Sequence, residues 1–207
     1  YTPDATGADE NGNYHIQDYI GPMQVVKSLC KDDGYGPNYK TTYAYSGGRV
    51  DTRGQGFLGF ETFESYDTVT NICSVEHLSV DFPFTGMVLR TETYYDPDPD
   101  TATRHLLSSS DNVLDSHVLP FANGATTYYP FIDEATSKTV PIPQDYVHPA
   151  ALSCINTDNT IDTWGNVQEV LVDFDYEANP GASTQRTVNT YFAADQDSWF
   201  LGRLKET

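Results

Sequence analysis

Polar and apolar residues alternate with a period of two along several runs of this chain. In Tyr39–Tyr45 (YKTTYAY), Tyr39, Tyr43 and Tyr45 share one face with Thr41. That spacing predicts a strand with an aromatic face. Pro22–Cys30 precedes it across the turn formers Lys31–Asn38, so a hairpin is expected there, with Ser46–Gly48 as the next turn. Phe57–Tyr66 (FLGFETFESY) and Ile72–Phe82 (ICSVEHLSVDF) flank the short polar joint Asp67–Asn71 and read as the clearest antiparallel hairpin. Pro83–Gly86 then turns the chain into a strand over Met87–Tyr95. Asp96–Asp100 (DPDPD) ends that strand, because proline cannot continue a ladder.

Beyond this break the pattern weakens. Arg104–Leu107, Val113–Phe121, Ala125–Phe131 and Ser137–Ile142 each suggest a short strand, and Glu134–Lys138 suggests at most one helical turn. Periodicity returns in Val167–Tyr176 (VQEVLVDFDY), where Val170, Val172, Phe174 and Tyr176 share a face. A turn over Thr160–Asn166 leads in, and a loop over Ala178–Ser183 leads out. Gln185–Phe192 and Trp199–Leu204 read as closing strands. The reading is an all-β fold of many short strands and hairpins, in curved or stacked antiparallel sheets with little helix. It divides into a loose lead-in (1–21), a first β unit (22–100), an irregular connecting segment (101–150) and a last β unit (151–207).

Composition agrees with this reading. Tyr (15) and Phe (10) dominate the large apolar residues, and such rings favour pleated, half-buried surfaces. Thirty acidic residues against eleven basic ones give a net charge of −19. A phosphate backbone would be repelled, so nucleic acid is not an expected partner, and an anionic membrane is a poor one. No run reaches the eighteen apolar residues of a spanning helix, so membrane insertion is not expected. The acidity fits a secreted or cell-surface setting. With no signal peptide and a first residue that is not Met, the chain reads as a piece of a longer product.

Candidate chemistry is sparse. Asp96, Asp98 and Asp100 match the opening of a calcium loop, but Thr101 stands where Gly is needed and Leu107 where Glu is needed. A solvated acidic turn, with at most weak cation binding, explains them better; Asp158 and Asp162 lie in turn-like sequence and are read the same way. Of His15, His77, His105, His117 and His148, none forms a zinc-protease motif, and no nucleophile elbow exists. Cys73 and His77 share a strand face at even spacing, without a third orienting group. Three cysteines, Cys30, Cys73 and Cys154, leave any pairing undetermined. Gly54–Phe60 (GQGFLGF) has neither a phosphate-loop nor a dinucleotide pattern, so its glycines are expected to mark a bulge or bend at the head of a hairpin. No cofactor is implied.

Three segments together resemble a family. Tyr43–Phe60 (YAYSGGRVDTRGQGFLGF), Val80–Leu89 (VDFPFTGMVL) and Tyr191–Leu204 (YFAADQDSWFLGRL) resemble Rhs/YD-repeat proteins. More narrowly, they resemble the region between the SpvB-like or propeller part and the repeat shell of insecticidal toxin-complex B components. Ile161–Val170 (IDTWGNVQEV) is similar to one YD repeat, with Ile161 in place of its Tyr. The resemblance implies a section of a hollow β-shell that encloses or presents a toxin polypeptide, with the rest of the same polypeptide as partner. It implies no catalytic residue, since no counterpart of the family's protease motif occurs.

The residues expected to carry this structural role are Tyr43, Tyr45, Gly54, Gly56, Phe57, Gly59, Phe60, Phe82, Pro83, Gly86, Trp164, Gly165, Trp199 and Gly202. Two other functions remain open. One is a carbohydrate- or cell-surface-binding module using Tyr94, Tyr95, Tyr128, Tyr129, Trp164 and Trp199 as sugar platforms. The other is a hydrolase built on unlocated carboxylates.

Overall fold

The computed structural model describes residues 15–32, 34, 39–97, 104–120, 126–140, 153–176, 179–194 and 202–207. Among these residues every regular element is a strand, and every pairing is antiparallel where a register is defined. The all-β expectation holds. In chain order the strands are β1 (Ile16–Asp18), β2 (Ser28–Lys31), β3 (Tyr39–Asp51), β4 (Gly56–Asp67), β5 (Ile72–Leu78), β6 (Val88–Tyr95) and β7 (His105–Pro120). They continue with β8 (Thr126–Thr139), β9 (Ser153–Ile161), β10 (Val167–Tyr176), β11 (Asn179–Val188), β12 (Thr190–Tyr191) and β13 (Leu204–Glu206). The chain divides into two compact units, Tyr1–Ser109 and Ser110–Thr207, so the division falls inside β7.

In the first unit the hydrogen-bonding order is β1-β3-β4-β5-β6-β7, with β2 also on β3. β1 takes the Arg49–Asp51 end of β3, and β2 takes the Tyr39–Thr42 end. The predicted hairpin forms as β4 and β5, paired from Thr62↔His77 to Asp67↔Ile72. Its turn is held by Asp67 Oδ1, which accepts from the Val69 amide at 2.8 Å. Asn71 sits at φ 56, a conformation its short polar side chain tolerates.

In the second unit the order is β7-β8-β9-β10-β11, with β12 and β13 as a separate two-stranded ladder. Arg203 lies over the Phe192 ring beside that ladder, 4.3 Å from its centroid.

Several strands run longer than the pattern predicts. Ser46–Gly48 is not a turn but part of β3, which keeps Ser46 opposite Thr62 and Gly48 opposite Phe60. The absence of a side chain at Gly47 admits Glu61, whose side chain fills the space a Cβ would take. Within the described residues, the four short strands expected between 104 and 142 fall in two longer ones, β7 and β8, while Phe121, Ala125 and 141–142 lie outside them; Glu134–Lys138 is strand rather than helical turn. Its polar residues are paired along β9, from Glu134↔Asp158 to Lys138↔Cys154, so backbone pairing overrides the local pattern. Asp158 is accordingly a strand residue and not a turn residue. β11 likewise absorbs most of the loop expected over 178–183, because Ser183 and Thr184 pair with Phe174 and Asp173 of β10.

Burial is shallow. Among the described residues the buried apolar side chains are Ile16, Cys73, Val75 and Phe131, while Arg49, Asp51, Ser79, Asp96 and Ser109 are buried polar residues. What fills the first unit instead is a run of aromatic contacts between β3 and β4. Tyr43 stacks on Phe63 at 5.8 Å, Tyr45 meets Phe63 at 5.3 Å and Phe60 at 5.0 Å, and Phe57 meets Phe60 at 5.3 Å. Tyr19 closes the run against Phe57 at 5.4 Å. Cross-strand ring pairs of this kind add about 0.2–1 kcal/mol each over an alanine pair.

Candidate functional site

The corner at Gly54–Phe60 is a four-residue turn followed by a bulge. Asp51 pairs with Gly56, and its carboxylate accepts from the Arg53 amide at 2.6 Å, which fixes the turn. Val50 pairs with Phe57 and Arg49 with Gly59, so Leu58 is the extra residue on β4. Gly59 sits at φ 118, where a side chain is strained, although the space beside it is open. The glycine is required by backbone conformation and not by packing. Gly54 and Gly56 occupy the turn, also with positive φ.

Asp81, Phe82, Pro83 and Gly86 belong to the segment between β5 and β6. This segment is tied by Phe84 N to Asp81 O at 2.8 Å and by Gly86 N to Ser79 O at 2.7 Å. The Phe82–Pro83 bond is cis.

A second constellation was not visible in the sequence. Arg104 grips Glu64 through two hydrogen bonds of 2.8 and 3.2 Å, and its Nε approaches Asp96 Oδ2 to 2.9 Å. Asp96 is wholly buried, and among the described residues neither of its carboxylate oxygens has an aligned hydrogen-bond donor. The guanidinium therefore compensates it by charge more than by hydrogen bonding. This corrects the reading of Asp96 as part of a solvated turn; Asp98, Asp100 and Thr101 lie outside the described residues. The Arg104 hydrogen bonds hold the Glu64 carboxyl below the usual range. Burial, reinforced by the Glu64 charge, pushes the Cys73 thiol up to about 11. A thiol so displaced stays protonated and is a poor nucleophile, which removes the chemistry a Cys73–His77 pair would need. Instead His77 Nε2 faces Glu92 at 3.4 Å, and Glu92 also receives Arg90.

Arg49, itself buried, forms a further ion cluster with two half-exposed carboxylates, Asp18 of β1 and Glu61 of β4, the latter at 2.9 Å. Both clusters join residues far apart in the chain, and no local period announces them. The one signal available was the small number of basic residues against thirty acidic ones, which makes each arginine a natural hub.

In the second unit, Asp162 organises the β9–β10 turn. Its carboxylate accepts from the amides of Trp164 and Asn166 at 2.8 and 2.9 Å and from the Asn166 side-chain amide at 2.8 Å. Gly165 sits at φ 85 over the Tyr129 ring, which a Cβ would strike at 2.7 Å. The D-x-x-G-N spacing is thus a self-satisfied turn whose glycine is fixed by both conformation and contact. Gly202 lies against the Asn166 side chain, again leaving no room for a Cβ. Trp199 and His148 lie outside the described residues.

No group of three His, Cys, Asp or Glu side chains among the described residues is placed to hold a metal ion. Cys30, Cys73 and Cys154 are free thiols. Of the proposed sugar platforms, Tyr128, Tyr129 and Trp164 are exposed, whereas Tyr94 and Tyr95 are half-buried in β6.

The family described as the insecticide toxin TcdB middle/N-terminal region matches residues 1–85, which contain the aromatic run, the bulge and most of the DFPFTG segment. The resemblance is to a toxin-complex B component. The fold agrees. The crystal structure of TcdB2-TccC3-Cdc42 superposes with a TM-score of 0.64 at 12% identity, covering 81% of this chain and 12% of that one. The crystal structure of TcdB2-TccC3 superposes with a TM-score of 0.53 at 14% identity, covering 76% of this chain and 10% of that one. The chain spans about an eighth of the length of the first of these structures. No curated protein matches it.

Proposed function

We propose that this chain is a non-enzymatic section of a secreted or cell-surface Rhs/YD-repeat protein of the toxin-complex type. It contributes strands to a β-shell that encloses or presents a toxin polypeptide. The observation that carries this reading is shallow burial. Among the described residues only Ile16, Cys73, Val75 and Phe131 are buried apolar side chains, while Ile20, Val26 and Leu29 are exposed. So thin a core suits a segment covered by other parts of a longer polypeptide. The site chemistry supports the non-enzymatic part. Among the described residues, the carboxyls with displaced titration, Glu64, Asp67, Glu92 and Glu169, are all displaced downward, opposite to a general acid.

The isolated chain should bind an apolar fluorescent dye such as ANS in its folded state, with native near-UV dichroism retained. A folded chain that leaves the dye dark would contradict the reading. It would move weight to a free-standing glycan-binding module built on Tyr128, Tyr129 and Trp164.

A further inference from the structure

The corner that carries the bulge also walls a cavity of about 420 Å³ within the first unit. Two elements far apart in sequence meet there. The β3–β4 corner supplies Asp51, Arg53 and Leu58, and the DFPFTG segment supplies Asp81 and Phe82. His15 completes the wall, and its carbonyl accepts from the Thr52 amide at 2.8 Å, which fastens it beside the Asp51 turn.

One polar group on this wall is under-compensated. Asp51 is only 7% exposed; its Oδ1 accepts from the Arg53 amide at 2.6 Å, but the nearest cation is Arg53 Nε at 4.0 Å, on a side chain that is 58% exposed. A buried carboxylate with so distant and so wet a counter-charge is costly. A metal ion does not answer this need, since no three ligating side chains among the described residues converge closely enough to hold one. A larger cation with several donors does. Phe82 is 59% exposed at the rim and Leu58 lines the wall, so an apolar stem and a flat head would both find contacts.

We propose that this cavity seats an arginine side chain from a neighbouring polypeptide segment. Its guanidinium would lie between the carboxylates of Asp51 and Asp81, with its stem against Leu58 and Phe82. The fork of five donors suits two carboxylates at once. The net charge of −19 attracts a cationic partner and discourages a second copy of this chain. Arg53 occupies the position partly and is displaced when the incoming guanidinium binds.

The test is a titration of the folded chain followed by NMR of the His15 ring. The probes are N-acetyl-arginine amide, N-acetyl-norleucine amide and a short polar peptide with one central arginine. Saturable shifts with the arginine amide, at least about tenfold tighter than with the norleucine amide, are expected. D51N and D81N should each weaken binding severalfold, whereas R53A should strengthen it by freeing Asp51. D81N alters an exposed residue and should fold whatever happens to D51N. The peptide should bind tighter than the arginine amide. Equal affinity for peptide and amide would overturn the assignment to a polypeptide and leave a small-cation site. No saturation, equal binding of the norleucine amide, or affinities unmoved in D81N and R53A would overturn the site itself.

Discussion

At the scale of single residues, Cys73 shows how a strand residue is tuned by what covers it. It is fully buried beside Glu64, and both burial and that negative charge disfavour its thiolate. Its folded pKa, at about 11, therefore lies above the unfolded value. The corresponding stability is fully present below about pH 9 and is lost as pH rises through the folded value. Thermal melts should show Tm falling between about pH 8.5 and 10.5, and C73A should flatten that fall while lowering Tm overall. An identical slope in both proteins would remove Cys73 as the cause. Glu64 and Arg104 stand forty residues apart, and Asp18 and Arg49 thirty-one. Pairs at such separations leave no periodic trace, so these hubs were not legible in the sequence, while the strand bearing Cys73 was.

At the scale of elements, the bends are set by backbone conformation at named positions. Gly59 at φ 118 allows Leu58 to be the unpaired residue of the bulge. G59V forces a β-branched residue into a region only glycine enters readily and should cost about 1–3 kcal/mol in denaturant unfolding. An unchanged midpoint would mean that the bulge relaxes without loss. The Asp162 turn makes a separate prediction. D162A removes three acceptor contacts and should destabilise the second unit by about 1–2 kcal/mol, with D162N retaining part of the loss through its one remaining acceptor oxygen. Hydrogen exchange of the Trp164 and Asn166 amides would check it, and unchanged protection in D162A would contradict it. The hairpin of β4 and β5 was legible because Phe, Val and Ile cluster on either side of a polar joint. β7 and β8 were not, because the polar residues at their centres look like breaks until neighbouring strands pair with them, as β9 does for β8. The glycines of GQGFLGF signalled a bulge, but only register identifies Leu58 as the extra residue.

At the scale of the whole molecule, the balance of buried and exposed surface is what most needs explaining. Rings between β3 and β4 and the Arg49–Glu61 ion pair hold neighbouring strands together, and Arg104 ties the start of β7 back to β4, yet they enclose few apolar side chains completely. Ile20, Val26 and Leu29 remain exposed in and around β2. A section of a larger β-shell would hide such positions against adjoining polypeptide. The most direct measurement is hydrogen–deuterium exchange of this chain alone and of the same chain within its longer polypeptide. Protection of the β2, β3 and β5 amides should rise by at least about tenfold in the longer protein. Exchange rates identical in the two settings would show that nothing covers this chain, and would contradict its role as a section of a shell.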